Sequence, residues 1–140
     1  MAINFENIFY DRVIKNLQNL IAEEFKIQIY YDEHKGNQSF LITPESDTLI
    51  SNLSNGIQRE YEININYQLK IGGQYTKNNF KQVSSIMERL KRLINNNLSY
   101  NSGATWFDAN INSIEYERDE DDQTLLRATG TFNCNNIEVL

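Results

Sequence analysis

The residues able to do chemistry in this 140-residue chain are few and scattered. His34 is the only histidine and Cys134 the only cysteine. His34 lies in the polar run Asp32-Glu33-His34-Lys35-Gly36-Asn37 and has no second ligand nearby for a metal or a proton relay. It therefore reads as a surface turn residue. Cys134 alternates with Leu126, Ala128, Gly130 and Phe132, so it reads as a buried thiol serving as a small hydrophobe, with a spatial pairing to His34 left open. Carboxylates suit hard cations, and Asp119-Glu120-Asp121-Asp122 supplies four in a row. That run lacks the alternating spacing and central glycine of a calcium loop, so a solvated hairpin tip is expected instead. Gly72-Gly73-Gln74-Tyr75-Thr76 sits where a phosphate loop would sit, but no Gly-x-x-x-x-Gly-Lys pattern follows. Glu60, Glu62, Glu115 and Glu117 fall on strands, and nothing in the sequence pairs them. No catalytic residue, metal site or cofactor is expected, and the chain is not expected to be an enzyme.

The elements around these residues are far more legible. From Ile57 to Ile71 the chain alternates without a break. Ile57, Arg59, Tyr61, Ile63, Ile65, Tyr67, Leu69 and Ile71 share one side; Gln58, Glu60, Glu62, Asn64, Asn66, Gln68 and Lys70 share the other. A period of two means one long strand, buried on one face and wet on the other. Its polar, weakly charged outer face suggests a surface that meets another protein.

An amphipathic helix is expected over Asn4–Glu24, with Phe5, Phe9, Val13, Leu17 and Leu20 at three- and four-residue steps and Asn4 as its N-cap. A short strand, Lys26–Tyr31, follows, and Ser39–Thr43 reads as its return after the polar turn. Pro44–Gly56 collects Pro44, Asp47, Ser51, Ser54, Asn55 and Gly56, which favour turns, and is expected to be a surface loop. Gly72-Gly73 ends the long strand. A second helix, Lys77–Asn97, carries Phe80, Val83, Met87, Leu90 and Ile94 on one stripe and offers Glu88 and Arg92 as an i,i+4 pair. The closing third reads as a hairpin: Thr105–Glu117, an acidic turn at Arg118–Gln123, and a return strand Leu126–Cys134. A parity break between Ile111 and Ile114 implies a β-bulge near Asn112-Ser113.

These elements give one α+β domain over residues 1–140. It has a mainly antiparallel sheet with two amphipathic helices packed on one face, because each strand shows a single apolar side. The hydrophobic fraction of 40% and charged fraction of 23% are those of an ordinary globular domain. A single cysteine leaves no internal disulfide and fits a reducing interior. Asn4, Glu6, Asn7 and Asp11 interrupt the N-terminal apolar residues, so no secretory leader is expected. No apolar run approaches the roughly 20 residues of a membrane span.

Net charge is −6, which disfavours general nucleic-acid binding. The charge is unevenly spread. From Lys77 to Leu98, Lys77, Lys81, Arg89, Lys91 and Arg92 face Glu88 alone, a balance of +4 that leaves −10 elsewhere. A basic helix and an acidic turn in one chain suggest docking to an oppositely charged neighbour.

In the order of its elements the chain resembles the tail-terminator, or tail-completion, proteins of long-tailed bacteriophages. The resemblance lies in the helix Phe5–Phe25, the strand Tyr61–Ile71, the helix Phe80–Ile94 and the closing pair Trp106–Tyr116 and Leu126–Cys134. It is a likeness of pattern, with no catalytic residues to carry over and no match within Pro44–Gly56. It implies a virion structural protein in the tail or neck, assembled in the host cytoplasm. The expected assembly is a homo-hexameric ring at the head-proximal end of the tail tube. Such a ring ends tail growth and meets the tail-tube protein on one side and a neck or connector protein on the other. DNA would pass through it without specific binding, and no membrane is involved. Rings need heterologous contacts. The candidate interface residues are Lys77, Lys81, Arg89, Lys91 and Arg92 on the basic helix and Asp119, Glu120, Asp121 and Asp122 on the acidic turn. Leu49, Ile50 and Leu53 would form its apolar centre. A neck or head-completion protein, a tail-tube protein, a non-viral protein-binding module, and an enzyme with its site in Pro44–Gly56 remain as alternatives. The acidic turn could instead line the channel.

Overall fold

The computed structural model describes residues 2–71 and 79–139. A π-helical stretch, Ile8–Ile14, runs directly into helix α1, Lys15–Phe25. Strands β1 (Ile29–Tyr30), β2 (Gln38–Leu53) and β3 (Gly56–Lys70) follow, then helix α2 (Asn79–Asn95) and strands β4 (Phe107–Arg118) and β5 (Leu125–Val139). The five strands form one sheet in the order β1-β2-β3-β5-β4. All pairings are antiparallel except β1 with β2. The expected α+β class, with two helices on one face of a mainly antiparallel sheet, is the observed architecture.

The long alternating strand is β3, and its odd-numbered side makes the core. Tyr61, Ile63, Ile65, Tyr67 and Leu69 are buried beside Phe40 and Ile42 of β2 and Leu126, Ala128, Phe132 and Cys134 of β5. Helix α1 lies over the β2–β3 side, where Phe25 meets Phe40 edge-on at 5.1 Å between ring centroids and Phe9 meets Tyr61 at 4.6 Å. Helix α2 lies over β5 and β4, burying Val83, Met87, Leu90 and Ile94. Met87 comes so close to the sheet that a Cβ on Gly130 would stand 3.2 Å from its Cε. Burying an aliphatic side chain of this size contributes about 1.5–3 kcal/mol, so the layer between helices and sheet dominates stability.

Several expectations are corrected. The N-terminal helix does not begin at Asn4. Asn7 caps it, its Oδ1 accepting the Tyr10 N–H, and the residues before it form an arm that leaves Ile3 and Phe5 more than 80% exposed. Ser39–Thr43 is not an antiparallel return: β2 runs parallel to β1, with the Phe40 N–H donating to the Gln28 carbonyl at 2.9 Å. Pro44–Gly56 is not a loop. It is mostly the outer half of β2, and only Ser54 and Asn55 turn. Pairing with β3 overrides the turn propensity of its residues, and Pro44 is tolerated because β1 covers only Phe40 and Leu41, leaving β2 an edge strand there. Bulges beside Glu45 and Ile50 absorb the irregularity. On the core side of β3 burial stops at Tyr61, so Ile57 and Arg59, on the same side, stay half exposed beyond the helices.

Phe80 lies at the rim of the core and is only partly buried. Glu88 pairs with Lys91 at 2.6 Å rather than with Arg92; the pair is exposed and contributes little. The expected bulge in the closing hairpin is present between Ile111 and Ser113. The return strand runs past Cys134 to Val139.

Candidate functional site

His34 is not the solvated turn residue expected from its neighbours. The segment between β1 and β2 folds over the outer face of the sheet and leaves the imidazole half-buried. Nδ1 lies 2.6 Å from Ser39 Oγ, and Nε2 lies 3.0 Å from Asn66 Oδ1. Asn66 spends its amide nitrogen on Thr129 Oγ1, so its oxygen accepts and Nε2 carries the proton; Nδ1 then accepts from the Ser39 hydroxyl. Burial, with Arg127 nearby, pushes the imidazole below its ordinary pKa against the opposing effect of the Asn66 bond. A serine beside a histidine is the beginning of a nucleophile. Here Ser39 is fully buried, so no substrate reaches its Oγ in this arrangement, and the trio works as a pin holding the loop to the sheet.

That pin belongs to a broader polar face. β3 and β5 link side chains across it: in register, Arg127 Nε donates to Gln68, Asn66 to Thr129 and Thr131 to Asn64, and on the diagonal Gln58 donates to Asn135. Asn64 also donates to Glu45 at 2.9 Å, and Ser46 donates to Glu62 at 3.2 Å. Glu60, Glu62, Glu115 and Glu117 all stand on this side, because their register partners are residues of the polar side. The cations in these rows are Lys70 and Arg127. Arg127 pairs with Asp119 at 2.9 Å and Glu117 at 3.5 Å. The result is an amide-rich, acidic sheet face. Cys134 and the tyrosines Tyr61 and Tyr67 are on the opposite, apolar side, where burial holds each of these groups up to about 12. His34 and Cys134 are therefore on opposite sides of the sheet and do not meet.

Of the candidate interface residues, the acidic turn at the β4–β5 junction is internally committed. Asp119 Oδ1 accepts the N–H groups of Asp121 and Asp122, each at 2.9 Å, and these bonds hold its carboxyl below the usual range. Asp122 accepts from the hydroxyl and N–H of Thr124, which lowers it likewise. Glu120 and Asp121 keep their carboxylates for solvent. On α2, Arg89 reaches Glu24 at 3.2 Å and lies over the Phe25 ring, and Lys91 pairs with Glu88. Lys81 and Arg92 have no carboxylate partner among the described residues. Lys77 lies outside the described residues, as does the run Gly72-Gly73-Gln74-Tyr75-Thr76. Among the described residues no group of three or more His, Cys, Asp or Glu side chains is placed to hold a metal.

Leu49, Ile50 and Leu53 all lie towards the far end of the β2–β3 hairpin, each 40–48% exposed, but on different sides of it: Leu49 pairs with Arg59, Leu53 pairs with Gly56, and Ile50 sits at the bulge between them. Two residues not singled out from the sequence lie on the same side as Leu53. Val139 is 74% exposed and pairs with Gly56, which also pairs with Leu53, and Ile137 is one row inward. The signal for them was the apolar pair Ile137 and Val139 flanking Glu138. It was hidden because they fall on the opposite side of β5 from Phe132 and Cys134.

No protein-family model matches this chain, and no curated protein sequence matches it either. Among the described residues no helix is long and apolar enough to cross a membrane.

Proposed function

We propose that this chain is a structural subunit of a bacteriophage virion, a tail-terminator-like protein. In this reading it forms a homo-hexameric ring on the head-proximal end of the tail tube, stops tail growth there and joins the tube to the neck. The observation that carries the reading is the outer face of the sheet. It is broad, held rigid by cross-strand hydrogen bonds, and coated with amides and carboxylates whose cations are few and partly paired. Binding to a polyanion depends on uncompensated lysines and arginines, so a face of this kind lets DNA pass without gripping it. The element order supports the same reading. The partners are further copies of the chain, a tail-tube protein and a neck or connector protein; the subunit uses no cofactor and catalyses no reaction.

Native mass measurement on the purified chain tests this directly. A six-subunit species, visible as rings by electron microscopy and able to cap isolated tail tubes, is expected. A chain that stays monomeric at high concentration and leaves tube ends unaltered would overturn the reading.

A further inference from the structure

The exposed apolar residues of β2 and β5 and an apolar groove beside α2 lie at opposite corners of the sheet. The apolar knob is the end of the β2–β3 hairpin, where Leu49, Ile50 and Leu53 lie on the free edge of β2. The groove is an open depression of about 460 Å³ lined by Phe80, Lys81, Ser84 and Tyr116, between the first turns of α2 and β4, the other edge strand. Tyr116 pairs with Ala128, which pairs with Tyr67, whereas Leu53 pairs with Gly56. Gly56 and Tyr67 are 11 residues apart on one continuous strand, about 36 Å at strand rise. Within one subunit the knob cannot reach the groove.

Their charges are complementary. Beside the knob, Glu60 and Glu138 have no cationic partner among the described residues, and Asp47 is shared with Arg59. At the groove, Lys81 has no carboxylate partner among the described residues. Arg118 lies over the Phe80 ring at 5.4 Å, donates to the Gln123 carbonyl and has no carboxylate partner among the described residues. An apolar knob with an acidic border and an apolar groove with a basic border thus stand at opposite corners of the described sheet.

We infer that the groove beside α2 receives the β2–β3 hairpin end of a second copy of this chain. The contact is heterologous: one corner of each subunit meets the opposite corner of the next, and repetition closes a ring or runs on as a filament, according to the rotation between copies. Leu53 and its neighbours supply the desolvated centre, and Lys81 and Arg118 against Glu60 and Glu138 set orientation and salt dependence. Edge-to-edge pairing of β2 with β4 is disfavoured, because both edges are bulged, both are acidic and Pro44 interrupts the former. The inference rests on the ring reading for its biological meaning, but the contact itself is testable apart from it.

The test uses two full-length variants, Leu53→Cys and Ser84→Cys, mixed in equal amounts and oxidised with diamide. Both positions are on the surface, and the native Cys134 thiol is buried and does not compete. A disulfide joining the two different variants, lost in Lys81→Glu or in high salt, supports the contact. Only Leu53→Cys self-linked dimers, or no cross-link at all, would overturn it. Native mass of the unmodified chain, measured in parallel, separates this from the ring reading. A hexamer without the mixed cross-link keeps the ring and rejects the contact. The mixed cross-link with open chains only keeps the contact and rejects the ring.

Discussion

His34 and Asn66 are 32 residues apart in the chain and 3.0 Å apart in space, and their hydrogen bond ties the segment between β1 and β2 to the central strand. The bond fixes the tautomer of the ring and leaves Nδ1 to accept from Ser39. It also places the imidazole where a positive charge is disfavoured, since burial and Arg127 both oppose protonation.

The sign of the resulting pH dependence follows. Because the folded-state pKa lies below the ordinary value of 6.5, the unfolded chain takes up the proton first. The contribution of His34 to stability is complete above about pH 6.5 and shrinks as pH falls through that value to the lower folded-state pKa. Thermal midpoints measured between pH 8 and pH 5 should decline more steeply for the native chain than for His34→Gln. Parallel curves would show that the imidazole does not titrate in this environment.

Leu90 is fully buried on the face of α2 that meets the sheet. Leu90→Ala is expected to lower stability by about 2–5 kcal/mol, the range for a buried leucine that leaves a partly collapsed cavity. Urea unfolding gives the value. An unchanged midpoint would contradict the packing of α2 on β5.

Much of this architecture was legible because it depends on periodicity. The β3 alternation, the α2 stripe and the bulge at Asn112 each leave a mark in the order of apolar residues, and burial obeys that order. The outer half of β2 left none. Pro44, Asp47, Ser51 and Asn52 carry turn propensity and face solvent on both sides, so only the hydrogen bonds to β3 make them a strand. The N-terminal arm misled for a related reason: Phe5 fits the helical stripe, yet Asn7 captures the Tyr10 N–H and starts the helix after it. The polar trio of His34, Ser39 and Asn66 was illegible in principle, since hydrogen-bonded side chains from three elements follow no periodic rule.

The acidic turn gives a prediction that separates charge from structure. Asp119 accepts two backbone N–H groups and pairs with Arg127, whereas Asp121 does neither. Asp119→Ala should loosen the β4–β5 turn, and Asp121→Ala should leave it intact, although each removes one negative charge. Amide hydrogen exchange at residues 120–125 reads this directly. Equal protection loss in both variants would mean that net charge, not the capped turn, orders this segment.

Two glycines face the same question with different neighbours. A Cβ at Gly56 would stand 2.7 Å from the backbone carbonyl oxygen of Glu138, and neither strand can yield without disturbing the row that joins Leu53 to Val139. At Gly130 the nearest atom is Met87 Cε at 3.2 Å, the end of a flexible side chain that can turn aside. Glycine in a strand interior is also entropically costly, by roughly 0.5–1 kcal/mol relative to alanine, which favours replacement wherever space permits. Gly130→Ala should therefore be close to neutral. Gly56→Ala should cost about 1–3 kcal/mol, as overpacking against an unyielding neighbour does, and should splay the hairpin end. It should then also weaken any self-association made through Leu53. Comparative thermal melts decide the order, and a larger loss for Gly130→Ala than for Gly56→Ala would show that Met87, rather than the β3–β5 backbone, is the rigid element.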